Sequence, residues 1–376
     1  METLTSPNPK SVTDGVVEYE SNGVLVLSPA HLKPFRRIIY VDSYGGRSMW
    51  ERIKKGNVPP HHLRGCLELV RMGYEVALAE PVPDNWRFRR KPVPHDLAIV
   101  KLAFSWLRRD DIIFCGHNGL VWAPFLRSLG IVRCHVVSQL FGREELPLSR
   151  AHSGIIALTP DGAEQARKLA PNAKVAHLGW GADLAVFPKL PYNPEAFFSC
   201  GITLRDHRTM SLAAARSQHQ FEIICHGLDA SLVWPANVKV TDGGRGWNFE
   251  DKKLTYRDLL HKYYGRSAGS LLILQKHPFV ETTVAGFTEL IEIMAMGRPI
   301  IATRTLSLAG EIDIEQAGWG IFVPYESPEA LAEAVDFLAN KPQKAAEMGR
   351  CGRHLAESRY NIQRYANDLH NFFESL

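Results

Sequence analysis

Apolar residues along this chain cluster into short runs, and between the runs they recur at helical spacing. Arg37-Ile38-Ile39-Tyr40-Val41 is the first run that reads as a buried strand, and it passes into Asp42-Ser43-Tyr44-Gly45-Gly46. A helical pattern over His62–Met72 stops at Gly73, and Tyr74–Leu78 reads as the next strand. Strand, glycine turn, helix and strand in that order define a parallel doubly wound unit. Ile112–Cys115, His135–Ser138, Gly154–Leu158 and Lys174–Leu178 continue it as further strands. Residues 1–35 read as a tail with one extra strand, Gly23–Leu27.

Phe187-Pro188-Lys189-Leu190-Pro191-Tyr192-Asn193-Pro194 then packs three prolines into eight residues, a linker signal. Alternation resumes with strands at Ala196–Cys200, Phe221–Cys225, Val238–Val240, Leu271–Leu274, Pro299–Ala302 and Gly320–Val323. Helices are expected at Arg208–Gln218, Tyr256–Tyr264, Thr288–Met296, Pro328–Leu338 and Gln343–Ser358. The last helix, Ile362–Phe373, is amphipathic with no strand after it, which suits a segment that crosses back to the first lobe. The expectation is an α/β chain of two Rossmann-like domains, 36–188 and 189–358, with residues 359–376 as the returning helix.

Composition changes this picture little. Of 376 residues, 45% are apolar and 22% charged, ordinary usage for two globular lobes. No stretch reaches the ~18 uninterrupted apolar residues of a membrane span. The amino terminus lacks a basic-then-apolar export pattern, so a cytoplasmic location is expected. Six scattered cysteines form no C-x-x-C pair and read as buried free thiols of a reducing compartment. Charge is uneven. Lys and Arg outnumber Asp and Glu by 25 to 18 over residues 1–190, and trail them by 19 to 22 beyond. A basic front lobe suits an anionic acceptor, a phosphate or a lipid surface, or is simply a solvated surface. Trp86-Arg87-Phe88-Arg89-Arg90-Lys91 interleaves aromatic and cationic residues, as a loop touching an anionic membrane would. No nucleic-acid-binding module accompanies it.

The richest stretch for chemistry is Ala285–Ile301. Gly286 opens a helix that stops at Gly297, ahead of a buried strand. Free N–H groups at such a helix start, with the helix dipole, suit a diphosphate. Glu292 falls among Ile291, Ile293 and Met294, so it is expected to be partly buried and to need donors. Two ribose hydroxyls would serve, as would a backbone group or an arginine. Basic residues fall at the ends of predicted strands, where open α/β sheets bind ligands: Arg205, with Arg208 close by, and Lys276. In the first lobe Gly45-Gly46 reads as a glycine turn, and any tight turn would use such residues. His117 follows a strand, where an imidazole would position a hydroxyl or sit as a structural histidine.

Residues 285–301 resemble the donor-site motif E-G-F-G-x-x-x-x-E-A-M-A-x-G-x-P-V-I of GT-B glycosyltransferases of the retaining family 4 (glycosyl transferases group 1) type. Ala176–Phe187 resembles that family's N-G-V-D-x-x-x-F turn, and Ser199–His207 its phosphate-facing strand-to-helix turn. The likeness spans residues 37–376. It implies the GT-B architecture, two facing Rossmann-like domains with a cleft between them. The implied reaction moves a sugar from a nucleoside-diphosphate sugar to an acceptor hydroxyl, with retention and without a required metal or other cofactor. The acceptor would be a glycan, a lipid-linked molecule or a small molecule. Glu292 would hold the donor ribose, Arg205 and Lys276 the diphosphate, and Gly286, Phe287 and Thr288 the helix-start amides. Gly45 and Gly46 would form the acceptor-side loop and His117 the catalytic position. Gln139 stands where the family often has a further histidine, and Ala285 replaces the motif's first glutamate. There is no D-x-D sequence, so a metal-dependent GT-A mechanism is not suggested. The same architecture also serves nucleotide-sugar epimerases and non-catalytic lobe pairs.

Overall fold

The computed structural model describes residues 13–81, 87–88, 91–92, 95–116, 120–225, 231–242 and 256–376. Contacts divide the chain into two units, Met1–Trp180 with Ile362–Leu376, and Gly181–Asn361. No helix among the described residues is long and apolar enough to cross a membrane.

The strands of unit 1 are β1 (Val16–Ser21), β2 (Val24–Pro29), β3 (Arg36–Val41), β4 (Tyr74–Ala79), the short pair β5 (Arg87–Phe88) and β6 (Lys91–Pro92), β7 (Ile112–Cys115), β8 (His135–Leu140), β9 (Gly154–Ala157) and β10 (Lys174–His177). Eight of them form one sheet in the order β1-β2-β4-β3-β7-β8-β9-β10. From β4 to β10 the pairing is parallel. Ile39, Val41, Ala77, Ile113 and Val136 from these strands pack with Ile99 and Leu102 into a dry core.

Two features of unit 1 differ from the sequence reading. Where one strand was expected near the amino terminus, there is an antiparallel hairpin, with Ser21 facing Val24. Asn22 and Gly23 turn it with positive φ, 51° and 73°, the geometry that favours Asn-Gly in two-residue hairpins. β1 was missed because none of its residues is buried, so it shows no apolar alternation. The expected helix over His62–Met72 is broken. A single 3-10 turn, Pro60–Leu63, ends at Arg64 and Gly65, both left-handed (φ 51° and 79°), before α2 (Cys66–Arg71) begins. Two successive left-handed residues cannot continue a right-handed helix.

The C-terminal helix, Ile362–Glu374, belongs to unit 1. It buries Tyr365, Leu369, Phe372 and Phe373, and the Phe373 ring meets Phe114 edge-on at 5.5 Å. Gly154 makes room, since a Cβ there would lie 2.8 Å from the Phe372 ring. Each such side chain contributes about 1.5–3 kcal/mol by leaving water.

Unit 2 carries β11 (Ala196–Ser199), β12 (Phe221–Cys225), β13 (Val238–Asp242), β14 (Ser267–Leu272), β15 (Ile300–Thr303) and β16 (Gly320–Val323). They form an all-parallel sheet in the order β13-β12-β11-β14-β15-β16. In order of appearance this is 3-2-1-4-5-6, the doubly wound arrangement of dinucleotide-binding folds. Phe197, Ile223, Leu271 and Ile301 face Met210, Leu331, Val335 and Leu338 across its core. β14 starts four residues earlier than its apolar run suggested. Ser267-Ala268-Gly269-Ser270 carries little apolar signal yet is fully buried, because Gly269 lets Phe197 and Leu338 close over it.

Candidate functional site

Open α/β sheets bind ligands beyond the carboxyl ends of their strands, where neighbouring crossovers depart in opposite directions. In unit 2 that point lies between β11 and β14. The chain leaving β11 folds across the end of β14: Asp206 N donates to Ile273 O at 2.9 Å and Gln275 N to Leu204 O at 2.8 Å. Asp206 then caps α3 (His207–Ala214) through Thr209 N at 2.9 Å. Past β14 the chain reaches α4 (Phe287–Ala295), whose N-cap is Gly286.

One guanidinium organises this corner. Gly201 (φ 112°) and Gly286 (φ 77°) both adopt backbone that other residues avoid, and both leave space for Arg205. A Cβ at position 201 would run into the guanidinium, and one at 286 would lie 3.3 Å from Nη2 and 2.6 Å from Leu272 Cδ1. Arg205 Nε donates to Cys200 O at 3.0 Å and Nη1 to Thr203 O at 2.7 Å. Nη2 pairs with Glu289, in the first turn of α4, and both side chains are buried. Glu289 also receives Cys200 N at 3.3 Å. Burial pushes the Glu289 carboxyl up, against the opposing pull of Arg205. The Cys200 thiol, 3.1 Å from Tyr264 Oη, is held well above its ordinary value by burial and then by the Glu289 charge.

Glu292 follows one turn later and is 6% exposed. It faces the Tyr256 phenol, which burial and then the Glu292 charge push well above its usual range. Phe287 is buried and packs edge-on against Tyr360 at 6.2 Å, and its amide donates to Val284 O at 3.2 Å, so the amide expected to meet a diphosphate is already used within the chain. Thr288 is half-buried. Leu290 N closes back on Gly286 O at 3.0 Å, whereas the Thr288 and Glu289 amides have no backbone partner among the described residues. Lys276 is exposed and forms no ion pair with any described residue. The sequence reading assigned Arg205 to a diphosphate; three of its N–H groups already have protein acceptors, and Glu289 matches its charge. Nothing in the spacing of Glu289 announced that pairing, which only the packing of the 200–206 loop against α4 creates.

In unit 1 the corresponding point lies between β3 and β7. Gly45 (φ 80°) is the N-cap of α1 (Gly46–Lys54), and Gly46 packs against Leu78. The start of α1 is already occupied by a carboxylate, because Glu80 Oε1 accepts from Arg47 N at 2.9 Å. Asp42 receives the Tyr40 hydroxyl at 2.9 Å and Tyr44 N at 2.8 Å. Gln139, fully buried on β8, accepts from Tyr365 Oη at 3.1 Å. His117 lies outside the described residues, as do the side chains of the Trp86–Lys91 loop. Arg64 was missed: it is buried at the same end of the sheet, and the available signal was an arginine directly ahead of Gly65 within an otherwise helical pattern. An open hollow of about 900 Å³ lined by Arg109, Arg127, Arg133 and Arg150 sits at the amino ends of β7, β8 and β9, the opposite edge of the sheet.

Two α/β units of this kind, the second with a 3-2-1-4-5-6 sheet and a glycine-started helix at its switch point, constitute the GT-B fold. Solved structures of that fold match almost the whole chain. A sucrose-phosphate synthase from Thermosynechococcus elongatus aligns at TM-score 0.61 and 13% identity, covering 91% of this chain and 99% of that one. Anabaena HepE in complex with UDP and glucose aligns at TM-score 0.60 and 14% identity, covering 91% and 100%. A glycosyltransferase from Rickettsia africae aligns at TM-score 0.59 and 13% identity, covering 91% and 98%. No protein-family model and no curated protein matches the sequence.

Proposed function

We propose that the chain is a glycosyltransferase that moves a sugar from a nucleoside-diphosphate sugar to an acceptor hydroxyl, with retention and without a required metal. The observation that carries this reading is the start of α4. Gly286 opens the helix at the switch point, the Thr288 and Glu289 amides have no backbone partner among the described residues, and Glu292 is buried one turn on. Helix-start amides stabilise a diphosphate both bound and as it leaves, which is electrostatic catalysis. Lys276 supplies the mobile positive charge. Arg205, tied to Glu289, holds the loop and the helix start in register beneath it. Glu292 takes the ribose hydroxyls. Structures of the same fold solved with UDP and glucose support a nucleotide-sugar donor.

Calorimetry with UDP tests the donor site. Glu292→Gln should weaken binding about tenfold or more, the loss of charge-assisted hydrogen bonds worth ~1.5–3 kcal/mol. Lys276→Ala should weaken it less, with a stronger dependence on salt in the wild type. Unchanged affinity in both variants refutes the site. Incubating donor sugars alone and with candidate acceptors then separates transfer from epimerisation and from binding without turnover.

A further inference from the structure

Four arginines are buried among the described residues: Arg37, Arg64, Arg205 and Arg298. Three of them leave no buried guanidinium nitrogen without a partner. Arg37 pairs with Asp111 at 2.8 Å, Arg205 with Glu289, and Arg298 donates to Tyr264 O at 2.9 Å and to Pro191 O at 3.0 Å. Arg64 is the exception. It is 6% exposed, and its Nε and Nη1 are buried without a hydrogen-bond partner among the described residues. Its guanidinium lies 3.7 Å from the Trp180 ring centroid and 4.9 Å from that of Phe141. Aromatic rings attract the face of a guanidinium and leave its edge donors unanswered. Among the described residues no carboxylate forms an ion pair with it: Asp42 accepts from Tyr40 and from the Tyr44 amide, and Glu68 pairs through Oε1 with Arg71 at 3.4 Å.

The backbone holds this cation in place at a cost. Arg64 is left-handed (φ 51°), a conformation that disfavours a residue with a Cβ. Gly116, at the end of β7, makes room for its stem: a Cβ there would lie 2.8 Å from Arg64 Cγ and 2.6 Å from Tyr40 Oη. That sets Arg64 at the β3/β7 switch point. A second unanswered donor stands close by. Gln139 Oε1 accepts from the hydroxyl of Tyr365, whose ring packs against Gly65, and its buried Nε2 has no partner among the described residues. A buried cation whose N–H groups lack acceptors is unfavourable, and an unpaired amide adds to that. Both deficits are met by one kind of ligand, an oxyanion that only accepts hydrogen bonds.

We infer that Arg64 and Gln139 form an oxyanion site in unit 1, and that the acceptor carries a phosphate or carboxylate that binds there. The inference rests on the transferase reading for the word acceptor, but the site itself does not. The basic excess of residues 1–190 would draw such a ligand in.

Inorganic phosphate is the probe, titrated calorimetrically into the full chain with and without saturating UDP, so that phosphate occupying a nucleotide site is displaced. Phosphate binding that persists under UDP should weaken at least tenfold in Arg64→Met, and by a smaller factor in Arg64→Lys, which keeps the charge but loses the fork. Gln139→Leu should weaken it about threefold or more, and covers the case in which Arg64→Met does not fold. Affinity unchanged in folded Arg64→Met, or in Gln139→Leu should Arg64→Met not fold, overturns the site; so does phosphate binding abolished by UDP. UDP affinity should stay within twofold in all three. Arg64-dependent phosphate binding without any UDP binding would leave the site standing and remove the transferase reading. Glu292-dependent UDP binding with no Arg64-dependent phosphate binding would do the reverse.

Discussion

Replacing Glu289 by methionine leaves Arg205 buried with two carbonyl acceptors and no counter-charge. Replacing Arg205 by methionine leaves the Glu289 carboxylate with only the Cys200 amide and thiol, and strips Cys200 O and Thr203 O of their donor. Breaking a buried ion pair from either side costs about 3–5 kcal/mol, whereas replacing both partners by apolar groups restores most of it. The double variant still loses bonds to three backbone groups, so it should not return to wild type. Its loss should nevertheless fall short of the sum of the single losses by about 2 kcal/mol or more. Cys200 reports on this corner directly, since it is buried and touches Glu289. Under native conditions its alkylation, followed by mass spectrometry, measures local opening. The single variants should label Cys200 faster by roughly two to nearly four powers of ten, at 1.4 kcal/mol for each. Cys225, buried on β12 in the same unit, serves as the reference thiol. Single losses that add to within about 0.5 kcal/mol, or labelling of Cys200 no faster than that of Cys225, would refute the reasoning.

Gly286→Ala should destabilise unit 2 by about 1–2 kcal/mol for the left-handed backbone and about 1–3 more for the crowding of Leu272. Urea titration reads it, and a midpoint equal to wild type would show that the helix start tolerates a side chain. Phe373→Ala should cost about 3–5 kcal/mol, because the ring is fully buried against Phe114; a loss below 1 kcal/mol would mean the C-terminal helix adds little to unit 1. Burial raises the Glu144 carboxyl to about 7, against the backbone amides of Phe141 and Gly142. The folded chain therefore binds more protons than the unfolded one between the ordinary carboxyl value and about 7, and this group's contribution to stability is lost as pH rises through that window. Glu144→Gln should remove that part of the slope when urea midpoints at pH 5 and pH 8 are compared; an unchanged slope would place the titration elsewhere.

Sequence alone determined the two α/β units, because runs such as Ile112–Cys115, Phe221–Cys225 and Gly320–Val323 are buried on both faces and stand out as apolar blocks. It also determined where α4 begins and ends, since glycine at 286 and 297 marks a helix boundary wherever the helix is packed. β1 and the start of β14 were not legible: the first buries no residue, and the second is buried through small ones. The partners of Arg205 and Arg64 were decided only by the tertiary structure. Both are arginines beside a glycine turn, and local pattern treats them alike. Packing of the 200–206 loop against α4 brings Glu289 to Arg205. At the β3/β7 end, the Trp180 and Phe141 rings lie against Arg64, and no carboxylate among the described residues pairs with it. A charge pair depends on which strand ends the topology makes neighbours, and that information is spread over Cys200, Gly286 and Glu289 in one unit and Gly116, Gln139 and Trp180 in the other.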